Sequence, residues 1–229
     1  MDLKNYIFSG ILILISILPL FYTITGRYDF NKKLRYGMPA IFVTAFMFLL
    51  WDIRFTQVGI WKYDPEYTLG FFYRGLPLEQ WLFYLVFPYT ALFVYEILKT
   101  RCRSLNLNNI FTVVSLLLIV LFAVITYMYR LRFYTFFCCF FTTVYFAYTI
   151  FRKQFKPHLT HFFLTFFVML IPFLILNGFL TWNMGIEYHQ EQVLNVWIGM
   201  IPVENFIYLF LLLLINITVY EYLSEKKFF

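Results

Sequence analysis

The sequence has 229 residues, of which 62% are hydrophobic, 24% are aromatic and only 13% are charged. Soluble domains usually carry about a quarter charged residues, so this composition excludes an ordinary water-soluble globule. The formal charge of +6 is spread over short segments between apolar runs, which argues against a nucleic-acid partner. We therefore expect an all-α, polytopic membrane protein with the lipid bilayer as its surroundings.

Apolar runs of about 20 residues, the length that crosses roughly 30 Å of hydrocarbon, predict about seven transmembrane helices. They lie at 6–24, 36–52, 78–98, 110–128, 133–151, 161–181 and 203–223. The first run lacks a signal cleavage site, so we expect it to remain as a spanning helix. Two connections, 51–76 and 182–201, are long enough to be structured, and both lie on the face that holds the amino terminus.

Basic residues predict the orientation, because positively charged segments are retained in the cytoplasm. The face that holds the amino terminus carries Lys4, Arg54, Lys62, Arg74, Arg130 and Arg132. The opposite face carries Arg27, Lys32, Lys33, Arg35, Lys99, Arg101, Arg103, Arg152, Lys153, Lys156, Lys226 and Lys227. We expect a multi-pass protein of the cell membrane with its amino terminus outside and its carboxyl terminus in the cytoplasm.

The sequence contains an internal repeat. The segment PLEQWLF at 77–83 is echoed by PVENFIY at 202–208, an offset of 125 residues, and the same offset carries VYE at 94–96 onto VYE at 219–221. Upstream, FLLWD at 48–52 matches FLTWN at 179–183 at an offset of 131. This second match pairs Asp52 with Asn183 and implies that the second long connection is six residues shorter than the first.

Helices 1 to 3 thus correspond to helices 5 to 7, and one unmatched helix lies between them. With one helix between them, both repeats cross the membrane in the same sense and should be related by an axis along the bilayer normal. We place the first repeat at 1–104, the linking helix at 105–130 and the second repeat at 131–229. Glu79 and Glu204 should then lie at equivalent depths.

Glu79 and Glu204 each follow a proline by two residues, at the predicted start of a helix. A carboxylate there can simply complement the positive helix end, and from the local sequence alone this explanation stays open. Acids within membrane helices, however, usually face the protein interior and mark function. Apolar surroundings favour the neutral carboxylic acid, which is a Brønsted acid, whereas Glu96 and Glu221 lie near the opposite face as expected interface anchors.

Aromatic and amide side chains near the helix ends are the candidate binding residues. Tryptophans at this depth usually belong to an interfacial belt, but their ring faces could also stabilise a cation on an apolar substrate. Amides within helices have helix packing as their default role. The residues concerned are Trp51, Asp52, Trp61, Trp182, Trp197, Asn177 and Asn183.

Several chemistries lack their sequence signatures. The nine glycines form no GxGxxG or P-loop motif, and His158, His161 and His189 have no partner at metal-ligand spacing. No lysine lies inside a predicted helix, which excludes the Schiff base of a retinal protein. We expect no metal site, no nucleotide cofactor and three free thiols, at Cys102, Cys138 and Cys139.

The motif pair PLEQWLF and IPVENFIY, NGFLT at 177–181, GIW at 59–61 and NITVYEYL at 216–223 resemble the small membrane lycopene cyclases. In this heterodimer-type family, two three-helix subunits are fused in some members through an added helix. The resemblance implies a linear carotene substrate such as lycopene and acid-catalysed closure of its ends to β-ionone rings. The implied reaction has no net redox change and therefore requires no cofactor.

The resemblance makes Glu79 and Glu204 the catalytic acid and base, without deciding which does which. At the next position, where the family often has a second acid, this chain has Gln80 and Asn205, which could orient the catalytic carboxyl. Phe83 and Tyr208 complete the predicted substrate-binding set with those two amides and the seven residues named above. We also expect association with other carotenoid-pathway enzymes or with a second copy.

Two other functions remain open at this point. Small transporters are also built from parallel three-helix repeats joined by one helix. The helix interiors here are mostly Phe, Leu, Ile and Val, which favours an oily ligand over a sugar. A non-catalytic carotenoid-binding protein would keep the aromatic lining without needing both glutamates.

Overall fold

The computed structural model describes residues 4–26, 30–183 and 185–226. Arg27 and Lys227 of the basic-residue count lie outside these residues. The described residues form seven helices that are long and apolar enough to cross a membrane, which confirms the all-α polytopic prediction. They are α1 (Lys4–Ile24), α2 (Phe30–Gln57), α3 (Leu78–Arg101), α4 (Asn108–Met128), α5 (Phe133–Phe151), α6 (Leu159–Trp182) and α7 (Val203–Lys226).

The second helix is longer than its apolar run, which ends at residue 52. Helix α2 continues to Gln57, past the charged residues Asp52 and Arg54. Asp52 is therefore a residue of the helix itself. Only 1% of its surface is exposed, because its side chain faces the interior of the bundle. The predicted boundary was therefore wrong, and Asp52 belongs to the helical core and not to the connection.

The two long connections have the same order of elements. The first contains strand β1 (Trp61–Tyr63) and a hairpin of β2 (Phe72–Tyr73) and β3 (Leu76–Pro77). The second contains β4 (Ile186–Tyr188) and a hairpin of β5 (Trp197–Ile198) and β6 (Ile201–Pro202). Each strand of the second connection follows its counterpart by 125 residues.

This constant offset overturns the predicted match of Asp52 with Asn183. At an offset of 125, the counterpart of Asp52 is Asn177, and both side chains contact the residue that follows the helix-starting glutamate. The FLTWN segment resembles FLLWD locally, but it lies at the end of α6, where Asn183 follows the last helical residue. Hence the second connection is not six residues shorter than the first.

Some of the contacts between the repeats occur in reciprocal pairs. Strand β1 pairs antiparallel with β4, and Lys62 lies opposite Glu187 at the centre of the pairing. Near the other face, the Tyr95 hydroxyl donates to Glu221 (2.6 Å) and the Tyr220 hydroxyl donates to Glu96 (2.7 Å). Such self-complementary contacts are typical of two-fold-related units, which supports the predicted axis.

The helices of the two repeats interlock. Helix α2 packs against α7 of the other repeat, and α6 packs against α3. The main contacts of helix α4 are with α5, α6 and the short turn before α6. Apolar side chains on its other side, such as Leu117 and Val120, are exposed. The core is therefore formed between the repeats, and α4 lies outside it with a lipid-facing surface.

Candidate active site between the repeats

A small cavity of about 50 Å³ lies between the repeats, below the two long connections. Its walls come from α2, α3, α5, α6 and α7 together with β1 and β4. The lining residues are Asp52, Trp61, Tyr63, Gln80, Phe83, Tyr84, Tyr134, Phe173, Leu176, Asn177, Leu180, Ile186, Tyr188, Asn205, Tyr208, Leu209 and Leu212. The cavity therefore combines an apolar wall, several aromatic rings and a group of buried polar side chains.

Asp52 is the centre of one polar group. Its Oδ2 accepts hydrogen bonds from the Tyr84 hydroxyl and from Gln80 Nε2, both at 2.7 Å. Its Oδ1 accepts from the Tyr208 hydroxyl at 2.7 Å. Gln80 and Tyr84 come from the first repeat and Tyr208 from the second, so both repeats hold this one carboxyl group.

The second repeat has an amide in place of this carboxyl. Asn177 Oδ1 accepts from Asn205 Nδ2 at 3.0 Å, as Asp52 accepts from Gln80. Asn205 also donates to the Tyr188 hydroxyl at 2.7 Å and accepts from the Tyr134 hydroxyl at 2.8 Å. The two halves of the cavity thus have related frameworks but different chemistry, because only the first can transfer a carboxyl proton.

Two tyrosines from the connections contribute neutral phenols to the cavity. Burial, reinforced by the nearby Asp52, raises the pKa of Tyr63 well above its usual value. Burial also raises the pKa of Tyr188, although its hydrogen bond with Asn205 opposes the shift. Both side chains therefore stay protonated near neutral pH.

The chain resembles one known family over most of its length. A family model described as lycopene cyclase matches residues 4–98 and 131–223. The chain belongs to the lycopene cyclase family. This confirms the resemblance seen in the sequence, and α4 lies between the two matched segments. The comparison with curated proteins gives no match, and neither does the comparison with solved structures.

The motif glutamates of this cyclase family member are anchored to the connections. Glu79 Oε1 accepts from the Leu69 amide at 2.6 Å, and Glu204 Oε1 accepts from the Leu194 amide in the same way. Leu69 is followed by Gly70, with a φ of +78°, and Leu194 is followed by Asn195, with a φ of +61°. Glycine and asparagine tolerate this left-handed conformation better than other residues do, and the resulting turn directs the amide toward the carboxyl.

Both glutamates are fully buried, and each has a second partner. Thr135 donates to Glu204 Oε1 at 2.5 Å, and the Ser9 hydroxyl lies 3.4 Å from Glu79 Oε1. In each case, Oε2 is buried without a hydrogen-bond partner among the described residues. Neither carboxyl belongs to the cavity lining that the described residues form.

The structure brings together seven of the eleven predicted binding residues, which are Asp52, Trp61, Gln80, Phe83, Asn177, Asn205 and Tyr208. The other four do not line the cavity that the described residues form. The ring of Trp51 packs against the ring of Phe141. The Asn183 amide donates to the Phe179 carbonyl at the end of α6, and Trp182 is 72% exposed. Trp197 contacts the ring of Tyr188 from outside, which fits a belt role.

Sequence reasoning missed the tyrosines of the cavity, Tyr63, Tyr84, Tyr134 and Tyr188. Tyr63 and Tyr188 could have been found, because they are identical residues at the offset of 125 that the PxE motifs define. Tyr84 lies one helical turn after Gln80, on the same face of α3. Tyr134 carries no comparable signal, since its counterpart at that offset is Ser9.

A second polar group lies near the opposite face. The described residues place His158 beside Glu221 and Glu225, close enough together to hold an ion. Lys99 already contacts Glu221 Oε1 at 2.5 Å, however, and Tyr95 donates to the same oxygen. Lys33 pairs similarly with Glu96. The Lys99–Glu221 pair joins α3 to α7 of the other repeat, whereas the Lys33–Glu96 pair joins α2 to α3 within the first repeat.

Proposed function

We propose that this protein closes the ends of a linear carotene such as lycopene to β-ionone rings in the cavity between the repeats. Its family makes it a membrane protein of carotenoid cyclisation. The observation that carries the finer proposal is the lining of the cavity, where one buried carboxyl faces aromatic rings and a hydrocarbon wall. A hydrocarbon substrate and an acid-catalysed reaction require these three components.

The reaction needs a proton source and protection of a carbocation from water. Protonation of a terminal double bond gives a tertiary cation, the neighbouring alkene attacks it, and loss of a proton leaves the ring. Ring faces such as those of Trp61 and Tyr63 can stabilise the positive charge. Phe173, Leu176 and Leu212 form an apolar wall that excludes water from the reacting end.

The cavity must widen to receive this substrate. Its volume of about 50 Å³ holds a few water molecules but not a carotene end. The apolar wall of α6 and α7 is the side on which such a chain can approach from the lipid, because its leucines and phenylalanine offer no polar barrier. Movement of these side chains is therefore part of the proposal.

The resemblance gives the acid and base roles to Glu79 and Glu204. Both side chains are completely buried, and neither Oε2 atom has a hydrogen-bond partner among the described residues. Both groups, however, contact the connections and lie outside the cavity lining that the described residues form. Proton transfer between them and a substrate in the cavity would require rearrangement of the first turns of α3 and α7.

The proposal extends to the surroundings of the protein. The amino terminus lies outside the cell and the carboxyl terminus in the cytoplasm, as the distribution of basic residues indicates. The reaction needs no flavin or nicotinamide, because it is redox-neutral. Association with other carotenoid-pathway enzymes, or with a second copy, would pass the apolar substrate between membrane proteins.

Expression in cells that accumulate lycopene tests the proposal, with an empty vector as the control. Pigment analysis should show cyclised carotene, and purified protein in lipid should give the same product without added flavin or nicotinamide. Lycopene that stays linear but co-purifies with the protein would indicate a carotenoid-binding protein instead. Linear lycopene that does not co-purify would reject both functions and favour a transporter.

A further inference from the structure

We propose that Asp52 is the residue that protonates the carotene end. This inference rests on the proposed cyclase function and names the acid of that site. Sequence reasoning assigned Asp52 to substrate binding, near the predicted outer end of its helix. The structure places it inside the bundle, facing the cavity.

The position of Asp52 in the cavity supports this role. Among the described residues that line the cavity, Asp52 is the only one with a carboxyl group. Glu79 and Glu204 direct one oxygen to a backbone amide of their connections. An acid that protonates a hydrocarbon must contact it, because no polar substrate atom can relay the proton. Asp52 meets this requirement without any rearrangement of the helix ends.

The hydrogen bonds of Asp52 also support its role as the acid. Tyr84, Tyr208 and Gln80 donate to its two oxygens at 2.7 Å. These donors stabilise the carboxylate that remains after the proton has left. A tyrosine hydroxyl can also accept a hydrogen bond, so the same network holds the protonated acid before the reaction.

The step balances without another reactant. The O–H bond of Asp52 breaks, its proton forms a C–H bond at the terminal alkene, and the tertiary cation remains. Attack by the neighbouring alkene forms the C–C bond of the ring and moves the charge to a ring carbon. The Asp52 carboxylate then removes a proton from the adjacent carbon, which forms the double bond and restores the acid.

The amide at the equivalent position of the second repeat limits the site to one acid. Asn177 has the same relation to Asn205 that Asp52 has to Gln80, but an amide cannot protonate an alkene. The fused protein therefore has one reactive half and one half that only binds. A carotene whose two ends are both cyclised must present them one after the other.

Matched variants test this role by their rates of lycopene conversion in membranes, measured at equal amounts of folded protein. Asp52→Asn should lower the rate by about 10²–10⁴-fold, the usual contribution of a general acid. Glu96→Gln removes a different buried carboxyl, 5% exposed and near the opposite face, and should stay within about threefold of wild type. Gel filtration in detergent and thermal unfolding show whether each variant is folded.

A second pair of variants covers the case in which Asp52→Asn does not fold. Asp52→Glu and Asp52→Gln have the same size, and only the first should convert lycopene. Equal rates for these two, or an Asp52→Asn rate above half of wild type, would overturn the role of Asp52 alone. A wild-type protein that leaves lycopene unchanged would overturn the cyclase function and this inference together.

Discussion

The hydrogen bond from Tyr208 to Asp52 gives a quantitative prediction. Tyr208→Phe removes the donor at Oδ1, whereas Tyr84→Phe leaves Gln80 as a donor at Oδ2. A hydrogen bond to a charged group contributes about 1.5–3 kcal/mol. If Asp52 becomes a carboxylate in the transition state, this loss lowers kcat by about 10- to 150-fold, since about 1.4 kcal/mol corresponds to a factor of ten. Tyr84→Phe should cost less.

The assay is the initial rate of ring formation in liposomes at several lycopene concentrations. We expect a lower kcat with little change in KM, because the lost interaction strengthens only as charge develops on Asp52. Tyr145→Phe is the control, since its hydroxyl bonds Thr218 at 2.6 Å outside the described cavity lining. A Tyr208→Phe enzyme with unchanged kcat, or with an effect no larger than that of Tyr145→Phe, would refute the argument.

Further predictions concern other parts of the molecule. Glu79→Gln and Glu204→Gln should each fold, because an amide oxygen can still accept the backbone N–H, and should keep near-normal rates because Asp52 supplies the acid and base; a loss of about 10²–10⁴-fold in either variant would return these roles to the glutamates. The pKa of Tyr63 is raised in the folded protein, so its phenol stays neutral at a pH where a tyrosine of the unfolded chain, with a pKa near 10, ionises. Wild type should therefore lose stability in thermal unfolding above about pH 10, and Tyr63→Phe should lose less. Glu221→Gln breaks the contact with Lys99 and should lower the unfolding temperature while conversion continues. Tags at the two termini should be accessible outside and inside the cell respectively, and the reverse labelling would reject the orientation.

The helices and the repeat were predictable because they depend on composition and on spacing along the chain. Long apolar runs define the spans, and the PxE motifs define an offset of 125 residues that the structure keeps throughout the second half of each repeat. The end of α2 was not predictable in this way. The charges at Asp52 and Arg54 suggest exit from the membrane, and only the packing of α2 against α7 shows that Asp52 faces inward.

The site was predictable only in part, because its key contacts join residues that are far apart in sequence. Tyr208 lies 156 residues from Asp52, and no local pattern indicates that they meet. The tryptophans illustrate the opposite error. Trp182 has the same local context as Trp51, yet its position at the last turn of α6 leaves it largely exposed.

The peripheral position of α4 means that the covalent link between the halves is separable from the contacts that hold them together. The interlocked helices, the β1–β4 pairing and the reciprocal tyrosine–glutamate bonds all form without it. Helix α4 returns the chain to the side of the membrane on which it began, so that the two three-helix bundles can insert in the same orientation. Two separately made polypeptides, divided within the loop at 129–132, could therefore reassemble in a membrane and rebuild the shared pocket.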